Sequence, residues 1–451
     1  MKVMTPLDSV FLRLEDAHTS LHIASVAIFD GPVPRFEQIT ELFERKLPLI
    51  PRYRQRMHEP ALHLGLPGWS DDPDFDLAYH VRRTALPRPG GSAELDALVS
   101  RLMSQRLDRD RPLWECWVVE GLDDGRWAMV NKVHHCMVDG IAGTDLLSTV
   151  LDRSPDPDTT QVAAEAAGTP DGPGLPGVAR LAWDLAGRLA HPLDLVRGVT
   201  VGARGAVRFA GLARPASASS LVGGLGSART WTGARIALGD VEAVRERLGG
   251  TMNDVVLAAV TRGFRDLLLA RGEEPTAHVL RTLVPISVRA ANGRGSYDNR
   301  ISAMVPELPV ELHDPIERFR AVQDRLLRAK QSGERQAGEF LGGLALLLPP
   351  PVVAAALSAL FRLPQRFLVT VATNVPGPTQ PLYAAGRRLR ELYPYVPIAD
   401  RLRIGVAVLS YVDALYVGVT ADRASTPDVD VLISGIVDEV ADLRAVTGPD
   451  A

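Results

Sequence analysis

The chain has 451 residues, 46% of them hydrophobic and 23% charged, and its formal net charge is −4. This length predicts two or three domains, and the composition excludes disorder over most of the chain. The slightly acidic charge excludes a global basic field, so we expect no nucleic-acid partner.

Residues 1–153 are predicted to form a first domain in which strands and helices alternate. Apolar and β-branched residues predict strands at Leu21–Phe29 and Trp127–His135. Apolar residues at helical spacing predict a helix at Ala93–Leu107. The N-terminus lacks a basic region followed by a continuous apolar run, so we expect no signal peptide.

Residues 154–229 are predicted to be a linker, because Ser154–Gly174 is rich in Pro, Asp, Gly and Thr. Pro176–Leu212 is apolar, with arginines at wide intervals. This pattern fits two helices that pack on the protein. It also fits an interfacial helix whose arginines meet anionic headgroups while its apolar face enters the lipid.

Residues 230–451 are predicted to form a second domain of mixed helix and strand. Helices are predicted at Leu257–Ala270 and Pro315–Gln331, and strands at Val279–Val288, Phe367–Thr373, Ile404–Tyr411 and Ala414–Thr420. The sequence therefore predicts the α/β class, with two α+β sandwich domains joined by the linker.

A membrane-spanning helix needs about 20 apolar residues. The nearest approach is Phe340–Phe361, which Pro349-Pro350-Pro351 interrupts, and three prolines cannot continue a helix. Cys116 and Cys136 are too few for a disulfide framework. We therefore expect a cytoplasmic protein that is soluble or peripheral to a membrane.

The residues that carry chemistry lie at the end of the strand predicted at Trp127–His135. His134 and His135 are followed by Asp139, which could orient the loop, and by Gly140, which is predicted to open a helix that runs to Leu151. Histidine takes a proton from a hydroxyl near neutral pH, because its unperturbed pKa is about 6.5. A histidine that only makes structural hydrogen bonds is the alternative. We expect no metal site, because adjacent strand residues point to opposite faces and no third ligand is near in the sequence.

The motif His134-His135-x-x-x-Asp139-Gly140 resembles the signature of the superfamily that includes chloramphenicol acetyltransferase and peptide-synthetase condensation domains. Further stretches narrow the likeness: Pro6-Leu7-Asp8, Pro112-Leu113-Trp114, Asn253-Asp254, Val284-Pro285-Ile286-Ser287-Val288-Arg289 and Asn374-Val375-Pro376-Gly377-Pro378. In this order they resemble the bacterial wax ester synthase/diacylglycerol acyltransferase family from end to end.

The resemblance implies two chloramphenicol acetyltransferase-like domains with an active-site tunnel between them. It implies that His135 deprotonates the acceptor hydroxyl, which attacks the acyl-CoA thioester directly, without an acyl-enzyme. The sequence agrees, since it has no Gly-x-Ser-x-Gly motif. Cys136 is the alternative nucleophile. Acyl-CoA is then a co-substrate, and no permanently bound cofactor is expected.

Supporting roles follow from the same resemblance. Asp139 is expected to form a structural salt bridge, and Arg289 is its candidate partner. Asn253 is expected either to donate a hydrogen bond to the oxyanion or to cap the helix that follows it. The remaining candidates are expected to line the substrate site, with a plain core turn as the alternative for the first three: Pro112, Leu113, Trp114, Thr373 and Asn374.

The predicted activity is transfer of a long-chain acyl group to diacylglycerol, which gives triacylglycerol, with wax ester synthesis on fatty alcohols. The expected location is the surface of a lipid droplet or of the inner membrane. One alternative is an acyltransferase for a specialised secondary alcohol such as a polyketide. The other is a lipid-binding protein without turnover.

Overall fold

The computed structural model describes residues 2–59, 66–137, 143–156, 219–287, 301–329 and 368–446. The first half supplies strands β1 Lys2–Val3, β2 His22–Phe29, β3 Gln55–His58, β4 Gly68–Asp71, β5 Val81–Ala85, β6 Trp114–Glu120 and β7 Trp127–His134. Its helices are α1 Pro6–Leu14, α2 Phe36–Lys46, α3 Leu77–His80, α4 Ser92–Ser104 and α5 Gly143–Val150.

The second half supplies the remaining elements. Its strands are β8 Arg229–Ala237, β9 Leu280–Ser287, β10 Ile301–Met304, β11 Glu307–Leu308, β12 Thr370–Val375, β13 Tyr383–Ala384, β14 Arg387–Tyr395, β15 Ile404–Tyr411 and β16 Ala414–Asp422. Its helices are α6 Leu238–Leu248, α7 Met252–Ala270, α8 over residues 315–329 and α9 Val429–Val446.

The predicted elements within the described residues are confirmed, with ends that differ by a few residues. The largest difference is at α7, which begins at Met252, ahead of the predicted Leu257. The predicted linker helices at Pro176–Leu212 and the triple proline lie outside the described residues. None of the helices in the described ranges is long and apolar enough to cross a membrane.

The first sheet has six strands in the order β13-β14-β2-β7-β6-β5. Side chains of β7 alternate between its two faces. Met129 packs in the core cluster that contains α2, whereas Val130 packs in the cluster that contains α4. The end of β7 is therefore fixed between two packed layers.

The second sheet has the strand order β10-β9-β12-β15-β16-β8, and β11 also pairs with β9. Helices α7 and α9 cross where Gly263 contacts Gly435. The first sheet includes a strand from the second half of the sequence, an exchange in which β14 pairs with β2 of the first half. The predicted division into residues 1–153, 154–229 and 230–451 did not anticipate that a strand of the second half pairs in the first sheet. The division stays a prediction.

Candidate active site

The two histidines lie where β7 ends. His134 is the last residue of the strand and pairs with His22 at the start of β2. His135 begins a 3₁₀ turn, and its backbone N–H donates to the carbonyl of Leu21 at 2.9 Å. The start of β2 thus holds the backbone of both histidines.

The His135 ring is a neutral base at physiological pH. The Phe11 ring of α1 packs against it, with ring centroids 4.0 Å apart. Burial lowers the pKa of His135 to about 4, and its own backbone carbonyl opposes that shift. Nδ1 is buried and makes no hydrogen bond to the described residues. A proton on Nδ1, beside that carbonyl, leaves the lone pair on Nε2 to accept a proton.

His134 points into the protein, with 1% of its side chain exposed. Its Nδ1 accepts from the backbone N–H of Cys136 at 3.2 Å and lies 2.9 Å from the Cys136 sulfur. Its Nε2 therefore carries the proton and faces Glu15 Oε1 at 3.7 Å. Burial lowers the pKa of His134 to about 3, so this ring is also neutral.

Two further potential metal ligands, distant in the sequence, lie close to His134 in the fold, and the expectation that no metal binds stays a prediction. Donor atoms of Glu15, His22 and His134 lie within 4.8 Å of one another, a donor set that could hold a metal ion. However, Arg109 Nη2 donates to Glu15 Oε2 at 2.8 Å, and His22 Nε2 lies 3.1 Å from Oε1. Both carboxylate oxygens thus have protein partners, and the guanidinium repels a further cation.

Glu15 and His22 were missed because their neighbourhood depends on strand pairing. The sequence shows a glutamate after a helix and a histidine at the start of an apolar strand. Only the antiparallel register of β2 and β7 places His22 opposite His134. A polar residue at the start of an otherwise apolar strand was the available signal.

Cys136 is fully buried, and burial raises the pKa of its thiol well above the usual value. A thiol that stays protonated and inaccessible is a poor nucleophile. This geometry argues against an acyl-enzyme on Cys136.

The helix-cap alternative for Asn253 was wrong, because the cap is Thr251. Thr251 Oγ1 accepts from the N–H of Asp254 at 3.3 Å, and Asp254 Oδ2 accepts from the N–H of Thr251 at 2.6 Å. Asn253 is half-buried in the first turn of α7. Its side-chain amide makes no hydrogen bond to the part of the chain that the structure describes, so it is free to donate elsewhere.

Pro112, Leu113 and Trp114 are buried at the start of β6. The Trp114 ring stacks on Tyr53 and His80, with centroids 4.3 and 4.6 Å away. Its indole N–H donates to the Tyr53 carbonyl at 2.8 Å. These contacts are those of a core residue, and a role in lining the acyl channel stays a prediction.

Thr373 and Asn374 lie half-buried near the end of β12. β12 pairs with β9 only through Thr370 and Val371, so its end is paired on one side, by β15. Val375 packs against the core cluster that contains Cys136. The end of β12 therefore packs against the same core cluster as the first sheet. Asp139, Gly140 and Arg289 lie outside the described residues, so their expected salt bridge and loop roles stay predictions.

Comparison with known proteins agrees with this architecture. Residues 4–256 match the wax ester synthase/diacylglycerol acyltransferase catalytic domain, and residues 297–444 match the C-terminal domain of the same family. The Mycobacterium tuberculosis protein named Probable diacylglycerol O-acyltransferase tgs1 is 44% identical, over 99% of this chain and 96% of that protein.

Two solved structures show the same fold. The wax ester synthase/diacylglycerol acyltransferase from Marinobacter aquaeolei VT8 superposes with a TM-score of 0.70 and 25% identity, over 99% of this chain and 100% of that one. The first condensation domain of the calcium-dependent antibiotic synthetase gives a TM-score of 0.61 at 17% identity, over 98% and 96% of the two chains, a likeness of fold alone. Both are two-domain, chloramphenicol acetyltransferase-like proteins. The chain belongs to the wax ester synthase/diacylglycerol acyltransferase family.

Proposed function

We propose that the chain transfers a long-chain acyl group from acyl-CoA to diacylglycerol, with fatty alcohols as further acceptors, and that His135 is the general base. The observation that carries the mechanism is the His135 ring that follows β7, which burial keeps neutral and whose Nε2 makes no hydrogen bond to the described residues. The diacylglycerol acceptor is supported by the 44% identical relative, whose name gives that substrate.

In the proposed reaction, Nε2 of His135 accepts the hydroxyl proton as the acceptor oxygen attacks the thioester carbonyl. The tetrahedral intermediate collapses to the ester and coenzyme A thiolate, which takes the proton back from His135. The Asn253 amide stabilises the oxyanion, a contribution of about 3 kcal/mol in comparable sites. No acyl-enzyme forms, which the protonated, buried Cys136 supports.

The substrates enter a tunnel between the two halves, and the residues near the end of β12, Thr373 and Asn374, face it. The chain works in the cytoplasm at a membrane or lipid-droplet surface, because its acceptor and product are apolar. Acyl-CoA serves as co-substrate, and no resident metal is required.

The test is coenzyme A release from palmitoyl-CoA by the purified protein, with diacylglycerol, hexadecanol or no acceptor. Wild type is compared with His135→Ala and with His58→Ala, an exposed histidine on β3 that serves as the matched control. We expect acceptor-dependent release that falls about 10²- to 10⁴-fold in His135→Ala and stays unchanged in His58→Ala. Release that is independent of a lipid alcohol, or that survives loss of His135, contradicts the proposal.

A further inference from the structure

A buried carboxylate links the element that covers the histidines to both strands that carry them. Glu15 follows α1, and its side chain is 1% exposed. Its Oε1 lies 3.1 Å from His22 Nε2 and 3.7 Å from His134 Nε2. Its Oε2 accepts from Arg109 Nη2 at 2.8 Å and from Arg109 Nε at 3.2 Å.

Arg109 is the permanently charged partner of the buried Glu15. Burial raises the pKa of Glu15, but the hydrogen bond from His22, the charge that His134 and His22 carry when protonated, and the hydrogen bond from Arg109 lower it to about 2. Arg109 also donates to the carbonyl of Leu12 in α1 at 2.9 Å. The pair therefore ties α1 to the loop after α4 and presents a fixed anion to the two imidazoles.

The carboxylate and a backbone donor favour one tautomer of each imidazole. Glu15 Oε1 at 3.1 Å and the backbone N–H of Leu107 at 3.4 Å both approach His22 Nε2. A carboxylate can only accept hydrogen bonds, so the shorter contact favours the tautomer with the proton on Nε2. In His134 the backbone N–H of Cys136 donates to Nδ1, so the proton again lies on Nε2, directed at Glu15. The His134 ring beside this anion belongs to the strand end from which His135 continues.

We infer that Glu15 is a positioning residue for the transferase site: its buried carboxylate, anchored by Arg109, fixes His22 and His134 and with them the backbone that presents His135. The inference rests on the proposed function, since it takes His135 as the base. Phe11 supports this inference. It lies on α1, which ends beside Glu15, and its ring packs on the His135 ring. Loss of the carboxylate shifts the base relative to the thioester, and a displacement of 1 Å is enough to cost about a hundredfold in rate.

The test compares Glu15→Gln with Glu307→Gln. Glu307 lies on β11 of the second sheet and also binds one arginine and one histidine, Arg281 at 2.7 Å and His278. We expect Glu15→Gln to lower kcat about a hundredfold while KM for palmitoyl-CoA stays within about threefold. Glu307→Gln should lower the thermal midpoint and leave kcat within about twofold.

A double variant separates positioning from stability. Glu15→Gln leaves Arg109 without its partner, so Glu15→Gln with Arg109→Gln removes both charges together. We expect the double variant to regain most of the lost thermal midpoint and none of the lost kcat. A kcat that returns with stability, or a folded Glu15→Gln enzyme with wild-type kcat, overturns the inference. Loss of activity after EDTA treatment that zinc restores also overturns it, in favour of a metal site.

A spectroscopic readout keeps the inference independent of the activity. Spectra of ¹⁵N-histidine-labelled wild type should show His134 as the neutral Nε2–H tautomer, assigned with a His134→Gln variant. In Glu15→Gln this signal should move or broaden, and in Glu307→Gln it should not. If wild type transfers no acyl group, the proposed function fails while this experiment still decides the role of Glu15. An unchanged His134 signal in Glu15→Gln overturns the inference.

Discussion

The first turn of α7 holds two residues whose roles can be separated. Thr251 caps the helix through Asp254, whereas the Asn253 amide makes no hydrogen bond to the described residues. We expect Thr251→Ala to lose about 1 kcal/mol of unfolding free energy and to keep its activity. We expect Asn253→Ala to lower kcat about 10²- to 10³-fold, because an oxyanion donor acts only in the transition state.

Steady-state kinetics and urea denaturation of both variants check this prediction. Asn253 is half-buried and bonds to none of the described residues, so its truncation should change stability by less than about 0.5 kcal/mol. If Thr251→Ala loses the activity and Asn253→Ala keeps it, the assignment is reversed.

Residue identity alone located the histidine pair, but it did not reveal what surrounds it. Adjacent histidines at a strand end can be read from the sequence, since composition predicts the strand. His22 lies opposite His134, where both approach the Glu15 carboxylate, only because β2 and β7 pair in one register. Register is a long-range property that local periodicity does not encode.

At the scale of elements, the crossing of α7 and α9 depends on two glycines. A Cβ on Gly263 would lie 2.4 Å from the carbonyl oxygen of Leu432, and a Cβ on Gly435 would lie 2.9 Å from the Gly263 Cα. We expect Gly263→Ala to lose about 1–3 kcal/mol, because overpacking outweighs the helix propensity that alanine gains.

Gly239 in α6 is the matched control, because a Cβ there meets nothing within 4 Å. Gly239→Ala should gain up to about 1 kcal/mol. Urea denaturation midpoints of the two variants measure the difference. A Gly263→Ala protein as stable as wild type would show that the helices separate without loss.

The exchanged strand, β14, was not predicted from the sequence. β15 and β16 were predictable, because they are apolar along most of their length. β14 begins with Arg387 and Arg388 and carries Arg390 and Glu391, so its composition does not indicate a strand. Its pairing with β2 depends on packing between the two halves of the chain. The sequence of β14 alone does not indicate that packing.

At the scale of the whole molecule, the exchange makes the two halves interdependent. Without β14, the edge of β2 would lose its partner over the residues from Ala24 to Phe29. The backbone N–H of Trp231 in β8 also donates to Ser100 Oγ of α4 at 2.8 Å. We therefore expect the described core to unfold as one unit, so that a titration near the site changes the stability of the whole protein.

Two buried histidines and the half-buried His135 make that stability depend on pH. Burial lowers the pKa of His22 to about 4, of His134 to about 3 and of His135 to about 4, from 6.5 in each case. Between these values and 6.5 the unfolded chain binds protons that the folded protein excludes, so the free energy of unfolding falls as pH falls. The expected loss is about 2 kcal/mol per histidine between about pH 7 and pH 5.

Urea denaturation across this pH range measures the loss in wild type, His22→Gln and His58→Ala. His22→Gln removes one buried imidazole, so its stability should fall with acid by about 2 kcal/mol less than that of wild type, whatever its stability at neutral pH. His58 is exposed, and its loss should leave the slope unchanged. Glu15, whose pKa is lowered to about 2, adds a further loss only below about pH 4.5, outside the range compared. Equal slopes in wild type and His22→Gln would mean that folding leaves the pKa of His22 unchanged. A steeper fall in His22→Gln would mean that His22 is protonated in the folded protein and forms an ion pair with Glu15.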